Sequence, residues 1–122
     1  EVGYLPVSVS RGSLSGGEIH IAGSVSSQFI SALMLIGPML DDGLIVHVDG
    51  PLISRSYVEM TAHVMRSFGA AVHLDESTIS VSSGAYAGRN YSIEPDYSSA
   101  AFPLVAVAVR EGRVVIPGLG TA

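Results

Sequence analysis

The chain has 122 residues, 48% of them hydrophobic and 14% charged, with a formal net charge of −5. That is enough for one core and about one domain. The acidic balance excludes nucleic acid and anionic membrane as partners, since both are held through clustered Lys and Arg. The absence of cysteine excludes disulfides, thiolate catalysis and Cys-ligated zinc. The longest apolar stretches, 29–40 and 100–109, are too short or too broken to span a bilayer, and no signal peptide is visible at Glu1, so a cytoplasmic location is expected.

In chain order, Val7 to Val9 reads as the end of a strand, and Gly12, Gly16 and Gly17 as turn glycines, because the Gly-Lys-Ser/Thr of a P-loop is absent. A strand from Glu18 leads into Ser-Ser and an apolar run, Phe29, Ile30, Leu33, Met34, Leu35 and Ile36, predicting a first helix buried on most faces. Asp41-Asp42-Gly43 turns into a β-branched strand, Leu44 to Val48. Tyr57, Val58, Thr61, Val64, Met65 and Phe68 recur at helical spacing, and Gly69 supplies a C-terminal cap. Two short strands follow, Ala71 to Leu74 and Thr78 to Val81, joined by Asp75-Glu76-Ser77.

Part of this order recurs. Ile21, Ser26 and Ser27 return as Ile93, Ser98 and Ser99, each Ser-Ser pair being followed by an apolar run, an acidic turn and a β-branched stretch. The repeat predicts a third helix started by Asp96 or Ser98, although Pro103 removes one of its backbone donors, and then a strand from Arg113 to Ile116. Three segments result: 1–17 as the end of a preceding unit, 18–82 as a complete unit, and 83–122 as the start of the next. Strand-helix-strand units place parallel strands side by side with helices on one face, an α/β architecture.

The richest chemistry lies at Gly23-Ser24-Val25-Ser26-Ser27-Gln28-Phe29, where hydrogen-bonding side chains open an apolar helix. A helix N-terminus presents unpaired N–H groups and the positive end of the macrodipole. Phosphate oxygens can accept from these and from serine hydroxyls together, and the Gln28 amide can both donate and accept. The other reading is a serine N-cap on a core helix. The four histidines, His20, His47, His63 and His73, lack the spacing of a metal site.

The run Gly23 to Ala32, with Ser54-Arg55-Ser56-Tyr57 and Glu94-Pro95-Asp96-Tyr97-Ser98-Ser99-Ala100-Ala101, resembles the 5-enolpyruvylshikimate-3-phosphate synthase family. The likeness begins at Gly3-Tyr4-Leu5-Pro6 and reaches Gly112 to Gly118, although members of the family are several times longer. It implies β-α-β-α-β-β units, three in each of two domains, with helices packed on four-stranded sheets. It also implies transfer of enolpyruvyl from phosphoenolpyruvate to the 5-hydroxyl of shikimate 3-phosphate, releasing phosphate, with no cofactor or metal.

Carried over by position, the resemblance makes Ser26 and Ser27 phosphate ligands of shikimate 3-phosphate, Gln28 a ligand reaching toward its ring, Ser54 a third phosphate-binding serine and Tyr57 a neighbour of the ring. Arg55 matches a basic position of the motif, whereas Ser56 stands where proline is usual. Asp96 reads most simply as an N-cap, since a carboxylate there repels phosphate. The family's catalytic lysines, acidic groups and phosphoenolpyruvate-binding arginines have no counterpart in this chain, so no catalytic residue is expected and the rest of a parent enzyme is the implied partner. Two other readings stay open: a fragment of the sister UDP-N-acetylglucosamine enolpyruvyl transferase, whose helix start does not look like Ser-Ser-Gln, and a binding module of the same fold without catalysis.

Overall fold

Alternation of apolar and polar residues makes Gly17–Ala22 (β1) and Leu44–Asp49 (β2) strands, and they pair in parallel register, Ile19 opposite Val46 and Ile21 opposite Val48. This is a computed structural model; it describes residues 7–119, so the Gly3 to Pro6 motif lies outside the described residues. Parallel strands need a crossover, and Ser27–Ile36 (α1), extended by a short 3₁₀ turn at Gly37–Met39, provides it. Arg55–Ser67 (α2) then leads to Val72–Leu74 (β3) and Thr78–Val81 (β4), an antiparallel hairpin. β4 pairs antiparallel with β2, giving the sheet order β1-β2-β4-β3. The expected α/β unit with two helices on one sheet is therefore present.

Leu44, Val46 and Val48 of β2 and Ile79 and Val81 of β4 project onto Ile30 and Met34 of α1 and Val58, Ala62 and Met65 of α2, forming the core. Each fully buried large side chain there contributes about 1.5–3 kcal/mol of transfer free energy. α2 ends as the sequence predicts. Gly69 takes φ 90°, while Gly69 N–H donates to Arg66 O and Ala70 N–H to Met65 O, the paired bonds of a Schellman cap. Residues 83–88 cross the same end of the helices. Gly84 N–H donates to Pro38 O, the Tyr86 hydroxyl to Leu35 O at 2.9 Å and Ala87 N–H to Phe68 O. Partial burial raises the Tyr86 phenol above its ordinary pKa, which keeps the donated proton in place.

The structure corrects three expectations. α1 is buried along one face only, through Ser27, Ile30 and Met34, while Phe29 is 62% exposed and Leu35 and Met39 are also exposed. An all-round apolar sequence requires neighbours on every side, and the elements that α1 packs against, chiefly α2, the 3₁₀ turn and β2, leave Phe29 and Leu35 uncovered. Val7–Val9 and Arg113–Ile116 form no strand. Extended backbone needs a partner for its N–H and C=O groups, and neither segment has a strand beside it among the described residues.

Two compact units divide the chain, Glu1–Gly88 and Arg89–Ala122. The second contains Tyr97–Arg110 (α3), the expected third helix, with Pro103 inside it. Asp96 is its N-cap: Oδ1 accepts from Ser98 N–H at 3.0 Å, and Oδ2 from Ser99 N–H at 2.9 Å and from the Ser99 hydroxyl at 2.7 Å. The Ser99 hydroxyl first, then the two backbone N–H groups, hold the Asp96 carboxyl below the ordinary carboxylate range.

The loops leaving β1 and β2 meet at Gly23, whose N–H donates to Asp49 O at 2.8 Å and whose carbonyl accepts from Ile53 N–H at 3.0 Å. A Cβ at this position would lie 2.5 Å from Pro51 O, a backbone atom with little room to move. Gly23→Ala is therefore expected to destabilise the chain by about 1–3 kcal/mol, against a small effect for Gly84→Ala, where the space is open; denaturant unfolding of the two variants measures the difference. For Asp96, a lowered folded-state pKa means that the cap's contribution is complete above the unfolded-state value and is lost as pH falls through the folded one. Protection of the Ser98 and Ser99 amides, measured against their intrinsic exchange rates, should fall over that acid range, and Asp96→Ala should show the same low protection at neutral pH.

Candidate functional site

β1 and β2 run in parallel and end together, so the helices that follow them both begin at the same edge of the sheet. That edge, beyond the carboxyl ends of parallel strands, is where open α/β sheets receive ligands. Ser26 is the N-cap of α1, its hydroxyl accepting from Gln28 N–H across a long 3.4 Å. Ser27 follows at the first helical position and is 7% exposed, a buried polar residue among the apolar core. No acidic residue occupies the first turn of α1 or of α2.

α2 starts differently. Ser54 sits at the cap position but in the left-handed conformation, φ 58° and ψ 43°, and its hydroxyl makes no cap bond. Its carbonyl instead accepts from Tyr57 N–H at 3.0 Å. A non-glycine residue held there costs on the order of 1–3 kcal/mol, a strain that recurs at ligand-binding positions. The hydroxyl is left available, and the helix's first N–H groups lack a side-chain partner.

Between the two helix starts lies an open groove of about 520 Å³ lined by Ser26, Ser27, Gln28, Ser54 and Tyr57, by Ser31 and Thr61 one turn further along, and by the apolar Ala32, Leu35 and Met60. All five residues expected at the site are thus brought together from two separate stretches of sequence. No charged side chain lines the groove. Attraction for an anion must come from hydroxyl and amide donors and from two positive helix ends. A free phosphate dianion or a phosphate monoester fits that description better than a cation, for which the groove offers no carboxylate.

Arg55 is not part of this lining. Its Nε donates to Glu59 at 2.9 Å, Nη1 to the Glu76 carbonyl at 3.1 Å and Nη2 to the Asp75 carbonyl at 3.0 Å, so the guanidinium fastens α2 to the β3–β4 turn. Position in the motif alone could not reveal this, because the two carbonyls come from a turn twenty residues further along.

The second Ser-Ser pair offers a contrast. At α3 the Asp96 carboxylate already accepts from the N–H groups of Ser98 and Ser99, so the position an anion would take holds a resident anion. Sequence reading passed over Ser31 inside an apolar run and took Thr61 only as part of the helical spacing of α2; the available signal for both was their i+4 spacing from Ser27 and Tyr57. The histidines also find unforeseen partners on the outer face of the sheet. His20 and His47 stack with centroids 4.7 Å apart, His20 against Asp49 at 3.4 Å and His47 against Glu18 at 3.0 Å, and His73 lies 3.3 Å from Asp75. Among the described residues no group of three or more His, Asp or Glu side chains is arranged to hold a metal ion. No helix among them is long and apolar enough to cross a membrane.

Comparison with known proteins covers the whole chain. The model of the EPSP synthase (3-phosphoshikimate 1-carboxyvinyltransferase) family matches residues 1–122. Among similar proteins, the 3-phosphoshikimate 1-carboxyvinyltransferase of Methanothermobacter thermautotrophicus is 45% identical over 115 residues, covering 94% of this chain and 27% of that protein. The enzyme of that name from Methanoculleus marisnigri is 41% identical over 121 residues, covering 96% and 28%, and that from Serratia proteamaculans 37% identical over 113 residues, covering 90% and 26%. The chain spans little more than a quarter of the length of these relatives. With one family's pattern running through every residue from Glu1 to Ala122, this chain belongs to the EPSP synthase family.

Proposed function

We propose that the chain supplies the phosphate-binding part of the shikimate 3-phosphate subsite in an enolpyruvyl transferase, which moves enolpyruvyl from phosphoenolpyruvate to the 5-hydroxyl and releases phosphate. One observation carries this reading: hydroxyls from two helix starts, Ser26 and Ser27 on α1 and Ser54 on α2, face one uncharged groove. Phosphate oxygens accept from these hydroxyls and from the first-turn N–H groups. Gln28 and Tyr57, at the groove's side, suit the hydroxyl-bearing ring that carries the phosphate. The presence of Ser-Ser-Gln favours this reading over the sister transferase that acts on UDP-N-acetylglucosamine.

The chemistry itself needs general acid-base groups and cations around two phosphorylated, carboxylated substrates, and the groove has neither. We assign those to other segments of a longer enzyme. Exposed apolar side chains on the helical face outside the groove, Phe29 at 62% and Met39 at 67%, are the surface on which such segments would pack. On this reading 18–82 is one complete repeat unit, with 1–17 closing the unit before it and 83–122 opening the next.

Two measurements test the proposal. The chain alone should release no phosphate from the substrate pair above a heat-killed control in a coupled assay, and measurable turnover would refute the division of labour. In a full-length enzyme carrying this segment, Ser27→Ala should raise KM for shikimate 3-phosphate roughly 10- to 100-fold, the loss of one hydrogen bond to a charged group, and change KM for phosphoenolpyruvate less. Ser99→Ala, at the plugged helix start, should leave both nearly unaltered; equal kinetic damage from the two would reduce the motif to helix capping.

A further inference from the structure

One turn along the groove from the helix starts, the two helices are joined through hydroxyls. Ser31 lies one turn beyond Ser27 on α1, and Thr61 one turn beyond Tyr57 on α2. Ser31 Oγ and Thr61 Oγ1 are 2.9 Å apart and partly buried, and Thr61 Oγ1 donates to the Tyr57 carbonyl at 2.8 Å. Valence fixes the direction of this chain. A carbonyl only accepts, so the single Thr61 proton is committed to it, and Ser31 must donate to Thr61. From there the path continues to the site, because Tyr57 N–H donates to the carbonyl of Ser54, the residue held in the left-handed conformation.

Most of the contact between α1 and α2 is apolar, through Ile30, Met34, Val58, Ala62 and Met65. Interdigitated apolar side chains limit sliding of one helix on the other, but the transfer free energy behind them is non-directional, whereas a hydrogen bond adds a distance and an angle that a slide would break. A hydroxyl pair one turn below both helix starts is directional, and it is placed where a slide would be felt at once by Ser27 on one side and Ser54 on the other.

We propose that Ser31 and Thr61 are positioning residues of the phosphate site: their bond sets the register of α1 against α2 and thereby the spacing of the Ser26–Ser27 and Ser54 hydroxyls around the anion. This inference rests on the phosphate reading above. Thr61 keeps Tyr57 and Ser54 in place, and Ser31 ties that assembly to α1. Neither residue needs to touch the ligand.

The test titrates this chain with shikimate 3-phosphate, following amide resonances of Ser26, Ser27, Gln28 and Ser54. Thr61→Val keeps the shape and deletes the hydroxyl; Kd should rise roughly 3- to 10-fold, as expected for one hydrogen bond, with the far-UV spectrum unchanged. Thr61→Ser should restore affinity to within about twofold, because it returns the same donor and acceptor. In a Ser54→Ala background the Thr61→Val penalty should vanish, since the spacing no longer matters once one hydroxyl is gone; a merely structural role would leave the penalty intact. Should Thr61→Val unfold the chain, Ser31→Ala removes the same bond without touching the α2 backbone anchor and should weaken binding alike. Unaltered binding in the folded variant, with Ser27→Ala still weakened, would overturn this inference alone. Absence of saturable binding by the unsubstituted chain, or full binding by Ser27→Ala, would overturn the phosphate reading and this inference with it.

Discussion

Two backbone hydrogen bonds at Gly23 hold the arrangement on which the site depends. Its N–H reaches the end of β2 at Asp49, and its carbonyl receives the N–H of Ile53, so the loop entering α1 and the loop entering α2 are bonded to each other through a single residue. Only a residue without Cβ fits so close to the Pro51 carbonyl. Parallel pairing of β1 with β2 brings the loops to one edge of the sheet, and the Gly23 contact keeps them from spreading. Without it the two helix starts would have no reason to face the same volume.

From that geometry the electrostatics follow. The three α-helices among the described residues begin at a serine or aspartate, and the chemistry of each start differs through one or two atoms. At α3 a carboxylate satisfies the N–H groups and completes the cap internally. At α1 a neutral hydroxyl does so weakly, across 3.4 Å, and at α2 the side chain does not cap at all. A helix start that is incompletely satisfied from within has donors to offer from without. The two Ser-Ser pairs thus stand at one open end and one closed end with nearly the same letters.

Much of this was legible in the sequence because it rests on local rules. Periodicity located α2, the turn residues located the hairpin, and Gly69 marked a C-cap whose bonds are those expected. Helix-start chemistry pointed to Ser26, Ser27 and Gln28 and family likeness added Ser54 and Tyr57, and what unites them spatially is the parallel pairing of β1 with β2. What escaped reading depends on neighbours far along the chain. The exposure of Phe29 and Leu35 on α1, the unpaired state of Val7–Val9 and Arg113–Ile116, the engagement of Arg55 by the Asp75 and Glu76 carbonyls and the Ser31–Thr61 bond are all facts about what lies across a gap. A hydrophobic pattern records that a face is apolar, and is silent on whether anything covers it.

The opposite ends of the helices have their own consequence. There the carbonyls are answered: Met65 and Arg66 by the Schellman bonds, Leu35 by the Tyr86 hydroxyl and Phe68 by Ala87 N–H. α1 and α2 are therefore answered at their negative poles and left largely open at their positive ones, within a chain whose formal charge is −5. An anion at a distance meets net repulsion, and attraction begins only within about a helical turn of the groove, where the field of the helix ends is felt. On the phosphate reading proposed above, such a groove would do little to gather an anion from solution and much to hold one already delivered, and guidance over longer range would fall to charges elsewhere.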